Sequence, residues 1–442
     1  MGNRFFLYKS AVVASLAGFL FGFDTVVISG AEQSVQALWQ LDSTLHGLAI
    51  SMALWGTVLG SLIGGWPTEY LGRRTTLLWI GILYLLSAFG SALAPDVYIF
   101  MISRFIGGLG IGISTVAAPL FISEIAPPKY RGRLAGMFQF NIVFGILVAF
   151  VSNYVIGRTL SESIAWRWML GVEAIPALLF AVFCLGIPES PRWLIIRKND
   201  LQGGMNIFRK TNPELNEQEL KLLVQEVEAT GSRKQKAGKF FSRRLLTPIL
   251  LAFFIAFFNQ MSGINAILYF APRIFQMTGL EAQTALLQSV GIGITNLVFT
   301  FAGLWLIDRL GRRTLLYIGS FGYILSLGLT AWAFSSQTYG IVPFTIFFFI
   351  AAHAVGQGAV IWVFISEIFP NRQRAFGQSL GSFTHWFFAA LITLFFPVMA
   401  DAMAPEVIFS IFCGMMVLQL VWVKFFVPET KGIPLEELEK EL

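Results

Sequence analysis

The sequence predicts an all-α membrane protein, with twelve transmembrane helices in two pseudo-symmetric six-helix bundles. Hydrophobic residues fill 56% of the 442 positions and charged residues only 13%, the reverse of what a water-exposed surface needs. Apolar runs near 10–30, 47–67, 76–94, 98–120, 134–156, 167–187, 246–272, 284–307, 314–334, 339–365, 377–399 and 406–427 each approach the roughly 20 residues that cross a bilayer core. Three polar strings also occur twice. A Leu-Gly-Arg-Arg turn, a Ser-Glu-Ile-x-Pro step and a Pro-Glu-[Ser/Thr] exit stand at 71–74, 123–127 and 188–190, and again at 310–313, 366–370 and 428–430. Their offsets of 239, 243 and 240 positions point to one half copied into two matched bundles, an arrangement common in proteins that enclose a site at the repeat interface.

The runs divide the chain into an N-terminal bundle at 1–187, a cytoplasmic helical linker at 188–245, a C-terminal bundle at 246–427 and a cytoplasmic tail at 428–442. An even number of spans puts both termini on one side. The N-terminal segment, the alternate loops on that side, the insert and the tail hold 27 of the 31 Lys and Arg, so these are cytoplasmic by the positive-inside rule. Lipid and topology then account for the formal charge of +6, and no nucleic-acid partner is needed. Cys184 and Cys413 lie in apolar runs, which argues against a disulfide framework. The first run lacks a small-residue cleavage site and is expected to remain as a helix. Short outward loops and the absence of an Asn-x-Ser/Thr acceptor suggest a bacterial inner membrane.

The insert is strongly charged, and Leu215, Leu220, Leu223 and Val227 recur at helical spacing within 213–229. It reads as a few short helices rather than a catalytic domain, being too small for an independent enzyme core. No nucleophile–base pair, phosphate loop or metal-ligand set stands at suitable spacing anywhere. The chain is therefore read as no enzyme, without cofactor or metal. The run Gly107, Gly108, Gly110, Gly112 lies inside a span with no strand before it, so close helix packing is the better reading than a nucleotide loop.

A charge inside a span is costly unless paired or hydrated, and each one is a functional candidate. Asp24, Arg104 and Glu173 all sit roughly 9 Å below the outer surface when counted at 1.5 Å per residue. Matched depth makes a carboxylate–guanidinium cluster possible. It reads either as a static pair holding spans 1 and 4 together or as a proton-coupling site; depth alone leaves both open.

The ordered motifs place the chain in a family context. Gly22-Phe23-Asp24-Thr25 with Ile28-Ser29-Gly30, the string at 65–74, Arg104-Phe105-Ile106-Gly107-Gly108, the string at 123–131 and Pro188-Glu189-Ser190-Pro191-Arg192-Trp193-Leu194 are followed by Asn259-Gln260-Met261-Ser262-Gly263-Ile264-Asn265, the string at 308–313, that at 366–370 and Pro428-Glu429-Thr430-Lys431-Gly432. This set resembles the sugar porters of the major facilitator superfamily over essentially the whole chain. The resemblance implies the major facilitator fold, alternating access and a monosaccharide bound between the bundles by a functional monomer. It assigns a cytoplasmic gate to Arg73, Arg74, Glu124, Arg131, Arg312, Arg313, Glu367 and Arg374, whose ion pairs between bundles would close the inner side and break on opening. Headgroup anchoring alone would explain the arginines but not Glu124 and Glu367.

A monosaccharide presents hydroxyls and weakly apolar faces, so its site needs carboxamides that donate and accept, with aromatic surfaces. Gln139, Asn259, Gln260, Asn265 and Asn296 lie near mid-membrane by residue count; interhelical bonding is the alternative use for any one of them. The resemblance places sugar contacts there and adds Trp362, Trp386 and Phe21. Gln260 and Asn265 share a helix face only loosely, and the break that the family has near Gly263 would bring them together. Asn259 stands where the family usually has a second glutamine. Glu69 and Tyr70 depart from the usual first-loop pattern, and Phe270 replaces a common tyrosine. His353 and His385 also fall at cavity positions, as in fructose carriers, whereas Trp362 is an aldose-carrier feature.

Passive facilitators of this kind carry Asn where this chain has Asp24. The resemblance thus favours symport of a proton with a monosaccharide, a hexose with glucose or fructose in view, through Asp24, Arg104 and Glu173. A passive uniporter with Asp24 locked to Arg104 is the alternative. A non-transporting sugar sensor is disfavoured by the short tail.

Overall fold

The computed structural model describes residues 2–232, 240–370 and 373–432. Among them, twelve helical spans are long and apolar enough to cross a membrane: Phe5–Gly30, Ser43–Ile63, Arg73–Ala92, Val97–Ile125, Pro128–Thr159, Glu162–Leu185, Arg243–Tyr269, Ala282–Leu310, Arg312–Ser335, Tyr339–Ile368, Arg374–Ala402 and Pro405–Phe426. They are numbered 1 to 12 in that order. The described residues contain no strand. Several helices outrun their apolar runs, because a helix can continue into polar surroundings while its backbone bonds remain internal. Span 5 begins at Pro128, six positions before the run expected from hydropathy at 134.

The chain groups into two compact units. One contains Met1–Asp24, Gly56–Gly145 and Leu170–Lys236, the other Thr25–Trp55, Ile146–Met169 and Ala237–Leu442. In the first, small residues let helices approach as the glycine run suggests. A Cβ on Gly56 or Gly60 of span 2 would overlap the backbone of span 4 around Gly108 and Gly112. Gly22 and Gly145 bring spans 1 and 5 together in the same way, against Ile142 and Phe19 respectively.

The doubled strings explain one another. Spans 3 and 9 start after Gly72 and Gly311, with φ of +97° and +94°, a region that favours glycine. Neither glycine has a side chain to cap the helix it precedes, so the first N–H groups need an acceptor from elsewhere. Glu189 supplies it for span 3, accepting from the backbone N–H of Arg73 at 2.8 Å and Arg74 at 3.0 Å. Glu429 does the same for Arg312 at 2.9 Å and Arg313 at 3.0 Å. A Cβ on either glycine would strike the capping carboxylate. Burial pushes the Glu189 carboxyl up, against the opposing pull of the backbone N–H groups and of Arg73.

The linker is helical, over Pro191–Lys198, Leu201–Thr211 and Glu217–Ser232. Its third helix starts later than the 213 expected from periodicity. Asn216 accepts from the N–H of Glu219 at 2.9 Å while the Glu219 carboxylate accepts from the N–H of Asn216 at 2.8 Å, a reciprocal capping box that sets the start. Ile195, Phe208, Leu220, Val224 and Val227 form a small core, with Leu215 and Leu223 packed against it.

Glu189→Ala or Glu429→Ala should destabilise the protein by about 1–3 kcal/mol, because two helix N–H groups lose their acceptor. Glu→Gln at either position keeps an acceptor oxygen and should cost less. Melting temperature in detergent checks both; equal melting of the Ala and Gln variants would refute the capping assignment.

Candidate functional site

The three charges matched by depth meet. Arg104 Nη1 donates to Asp24 Oδ1 at 2.6 Å, and Nη2 donates to Oδ2 at 3.3 Å and to the Asp24 carbonyl at 3.2 Å. Both residues are buried, at 0% and 1% exposure, where a lone charge would be prohibitive. Glu173, at the break within span 6, is also buried, its carboxyl lies in the field of Asp24 and Arg104, and its Oε1 has no hydrogen-bond partner among the described residues. Two buried carboxyl groups share one guanidinium, so one negative charge is left uncompensated unless a proton is held there. Tyr84 of span 3 lies in the field of all three charges, and Ser87 lies against Gly107 near Asp24. Both were missed in the sequence because neither carries a charge.

The duplicated charges form one such centre in each unit. Arg73 Nε and Nη2 donate to the two oxygens of Glu124, both at 2.9 Å, Nη1 donates to the Thr68 carbonyl at 3.1 Å, and Nη2 also reaches Glu69 at 2.9 Å. Arg312 repeats the pattern with Glu367 at 3.0 and 2.8 Å, the Ile307 carbonyl at 3.1 Å and Asp308 at 3.3 Å. Where ion pairs between bundles are expected from the sequence, these pairs run within a unit. Arg74 and Arg313 bond carbonyls instead, of Cys184 and Leu185 in one case and of Lys424 in the other. Arg131 is exposed and Arg374 half-buried, and among the described residues neither makes an ion pair. The first-loop departures are accommodated: Glu69 also pairs with Arg197 at 3.1 Å, whose guanidinium lies over Tyr70.

A fourth charged cluster went unnoticed in the sequence. Glu32 is fully buried and receives Arg273 Nε at 2.9 Å and Nη2 at 2.7 Å, while His46 Nε2 lies 2.8 Å from its Oε2. Arg273 also donates to Gln36 at 2.5 Å. The signal was present, since Arg273 is one of the few basic residues outside the loops that carry the positive charge. Ser43 with Asp401, and Gln283 with the Gly157 carbonyl, likewise link the early and late parts of the chain within the second unit.

The carboxamides of span 7 assemble around a helix break. The helix Leu246–Met261 ends, Gly263 takes a φ of +83°, and Ile264–Tyr269 resumes. Asn265 Nδ2 then donates to Gln260 Oε1 at 2.7 Å, and Gln260 Nε2 donates to Asn259 Oδ1 at 3.0 Å and approaches the His385 ring at 3.2 Å. His385 packs between Trp362 and Trp386, with ring centroids at 5.2 and 4.7 Å. This cluster joins six of the expected contacts. His353 stands apart, its Nδ1 2.6 Å from the Tyr323 hydroxyl. Asn296 bonds Thr300 at 3.4 Å within span 8. Gln139 and Phe21 are half-buried on spans 5 and 1. Phe270 stacks on Phe396 at 4.9 Å, so the absent tyrosine hydroxyl is replaced by apolar packing. The short inventory of amides drawn from the sequence omitted Gln357 and Gln419, which continue the network through Asn259.

These polar centres inside apolar spans define a membrane transport protein, and known proteins agree. Residues 10–442 match the family described as "Sugar (and other) transporter". The D-xylose-proton symporter of Escherichia coli strain K12 is 34% identical over 477 residues, covering 99% of this chain and 96% of that protein. The glucose transporter GlcP of Staphylococcus epidermidis is 32% identical, covering 100% and 97%. The inward-open structure of the E. coli xylose transporter XylE superposes with a TM-score of 0.87 at 32% identity, over 98% of this chain and 99% of that one. The chain therefore belongs to the sugar transporter family of the major facilitator superfamily. It is a multi-pass membrane protein and not an enzyme.

Arg273→Leu should destabilise the protein by about 3–5 kcal/mol, because Glu32 would remain buried without its guanidinium partner. The double change Arg273→Leu with Glu32→Gln should recover part of that loss. Thermal melts of the three proteins check it, and additive losses would show that the pair is not coupled.

Proposed function

We propose that the chain carries a monosaccharide together with a proton by alternating access between two six-helix bundles, 1–187 and 246–427, joined by the linker at 188–245. The observation that carries this reading is the buried Asp24–Arg104 pair with the buried carboxyl of Glu173 in its field. One guanidinium faces two carboxyl groups, so the cluster has a place for one proton. Asp24 is the proton acceptor, Arg104 the partner whose approach favours release, and Glu173 the neighbour that shares the proton. An ion pair this tight also favours a second reading, a passive uniporter in which Asp24 never leaves Arg104.

Asn259, Gln260, Asn265, Asn296 and Gln139 supply the hydroxyl contacts, with His385 beside Gln260 and His353 as a further contact on span 10. Trp362, Trp386 and Phe21 supply the sugar's apolar faces. A wholly uncharged polar cluster suits a neutral ligand, and a hexose is the proposed substrate. Arg73, Arg74, Glu124, Arg131, Arg312, Arg313, Glu367 and Arg374 are proposed to form the cytoplasmic gate, their intra-unit pairs exchanging partners as the bundles rock. The charge distribution supports cytoplasmic termini in a bacterial inner membrane, and a monomer is sufficient.

In proteoliposomes, a proton gradient should drive accumulation of the sugar, and an uncoupler should abolish it. Asp24→Asn should lose that accumulation while retaining counterflow, because an amide cannot take up and release the proton. Uptake that never exceeds equilibrium and is indifferent to pH would establish the uniporter instead, whereas accumulation that survives Asp24→Asn would remove Asp24 as the proton acceptor. Competition among glucose, xylose, galactose and fructose identifies the sugar.

A further inference from the structure

A line of uncharged side chains leads away from the span 7 carboxamides and ends on a main-chain carbonyl. Ser320 Oγ donates to the Leu316 carbonyl at 2.7 Å, so toward Gln419 it can only accept, and Gln419 Nε2 donates to it at 2.7 Å. Gln419 Oε1 accepts from Gln357 Nε2 at 2.9 Å, and Gln357 Oε1 accepts from Asn259 Nδ2 at 3.5 Å. Asn259 Oδ1 accepts from Gln260, and Gln260 Oε1 accepts from Asn265, as described above. Five carboxamides from spans 7, 10 and 12 thus all donate in one direction.

A carboxamide taken alone can turn over and exchange its donor and acceptor ends. Here a carbonyl that only accepts removes that freedom from the whole line, each member fixing the next. Gln357, Gln419 and Ser320 are fully buried, so water cannot supply substitute partners. Close approach makes the line possible. A Cβ on Gly319 would meet the Gly356 Cα at 2.9 Å, and these glycines bring the residues that follow them, Ser320 and Gln357, within reach of Gln419.

We propose that Gln357 and Gln419, anchored by Ser320, are positioning residues. They hold the carboxamides of Asn259, Gln260 and Asn265 in one donor–acceptor polarity and so set which arrangement of sugar hydroxyls the site prefers. The inference rests on the reading of those three residues as sugar contacts. Sugar epimers differ in the direction of a single hydroxyl, and a reversed amide offers that hydroxyl the wrong partner.

The test measures KM and Vmax of the full-length protein in proteoliposomes with D-glucose, D-galactose, D-xylose and D-fructose as probes. Gln357→Leu should shift the KM ratio between the two best probes by about tenfold while Vmax stays within about twofold. In Gln357→Leu with Gln419→Leu both partners become apolar, so the melting temperature should recover. The altered ratio should persist there, because Asn259 still lacks its acceptor. Ser320→Thr keeps the hydroxyl and should keep the parent ratio. A ratio that never moves, or one that returns with the melting temperature in the double variant, would overturn the proposal and leave the line as packing only. Should Gln357→Leu fail to reach the membrane, Ser320→Ala removes only the anchoring hydroxyl and is judged by the same ratio. Asn265→Ala separates the two readings. If it leaves every KM unchanged, the sugar-contact reading falls; if it raises KM while the glutamine variants leave the ratios alone, only the positioning role falls.

Discussion

A guanidinium withdrawn from water must have its charge balanced and its donors met, or it costs several kcal/mol. Arg73 and Arg312 meet that demand alike, with a two-pronged carboxylate, a main-chain carbonyl one turn back and a second acid four residues before. Their own N–H groups begin a helix and donate to a further carboxylate from the Pro-Glu-[Ser/Thr] string. Three strings far apart in the chain are thus parts of one contact. None can be kept without the others, which is the physical reason they recur as a set.

The same demand, met with different partners, yields centres of different chemistry. At Arg104 one guanidinium has two buried carboxyl groups in its field, only one of them paired with it, and the site carries a surplus acid. At Arg273 a single carboxylate lies between a guanidinium and an imidazole, which leaves no surplus acid. In the span 7 cluster there is no charge, and hydrogen-bond polarity takes its place as the ordering principle.

Much of this was legible beforehand. Composition and run length predicted the spans, and a count of 1.5 Å per residue was enough to align Asp24, Arg104 and Glu173, since depth in a bilayer follows residue number along a straight helix. The glycines of span 4 announced close packing. Charge counting could have singled out Arg273, a basic residue on the wrong side of the rule, but its partner was hidden because Glu32 lies some 240 positions earlier. The direction in which the Arg73 and Arg312 pairs run was hidden for the same reason. Gln357 and Gln419 were overlooked because neither belongs to a recurring string.

By itself, then, the sequence determined which segments enter the membrane, how deep each polar group sits and that the two halves share a design, because these depend on composition and position along single helices. Only the tertiary structure decided which groups face one another. It turned three matched depths into a cluster, a loose face at Gln260 and Asn265 into a 2.7 Å bond through the bend at Gly263, and scattered amides into an ordered line. Facing depends on helix rotation and on breaks at single glycines, and those are settled by packing against neighbours remote in the chain.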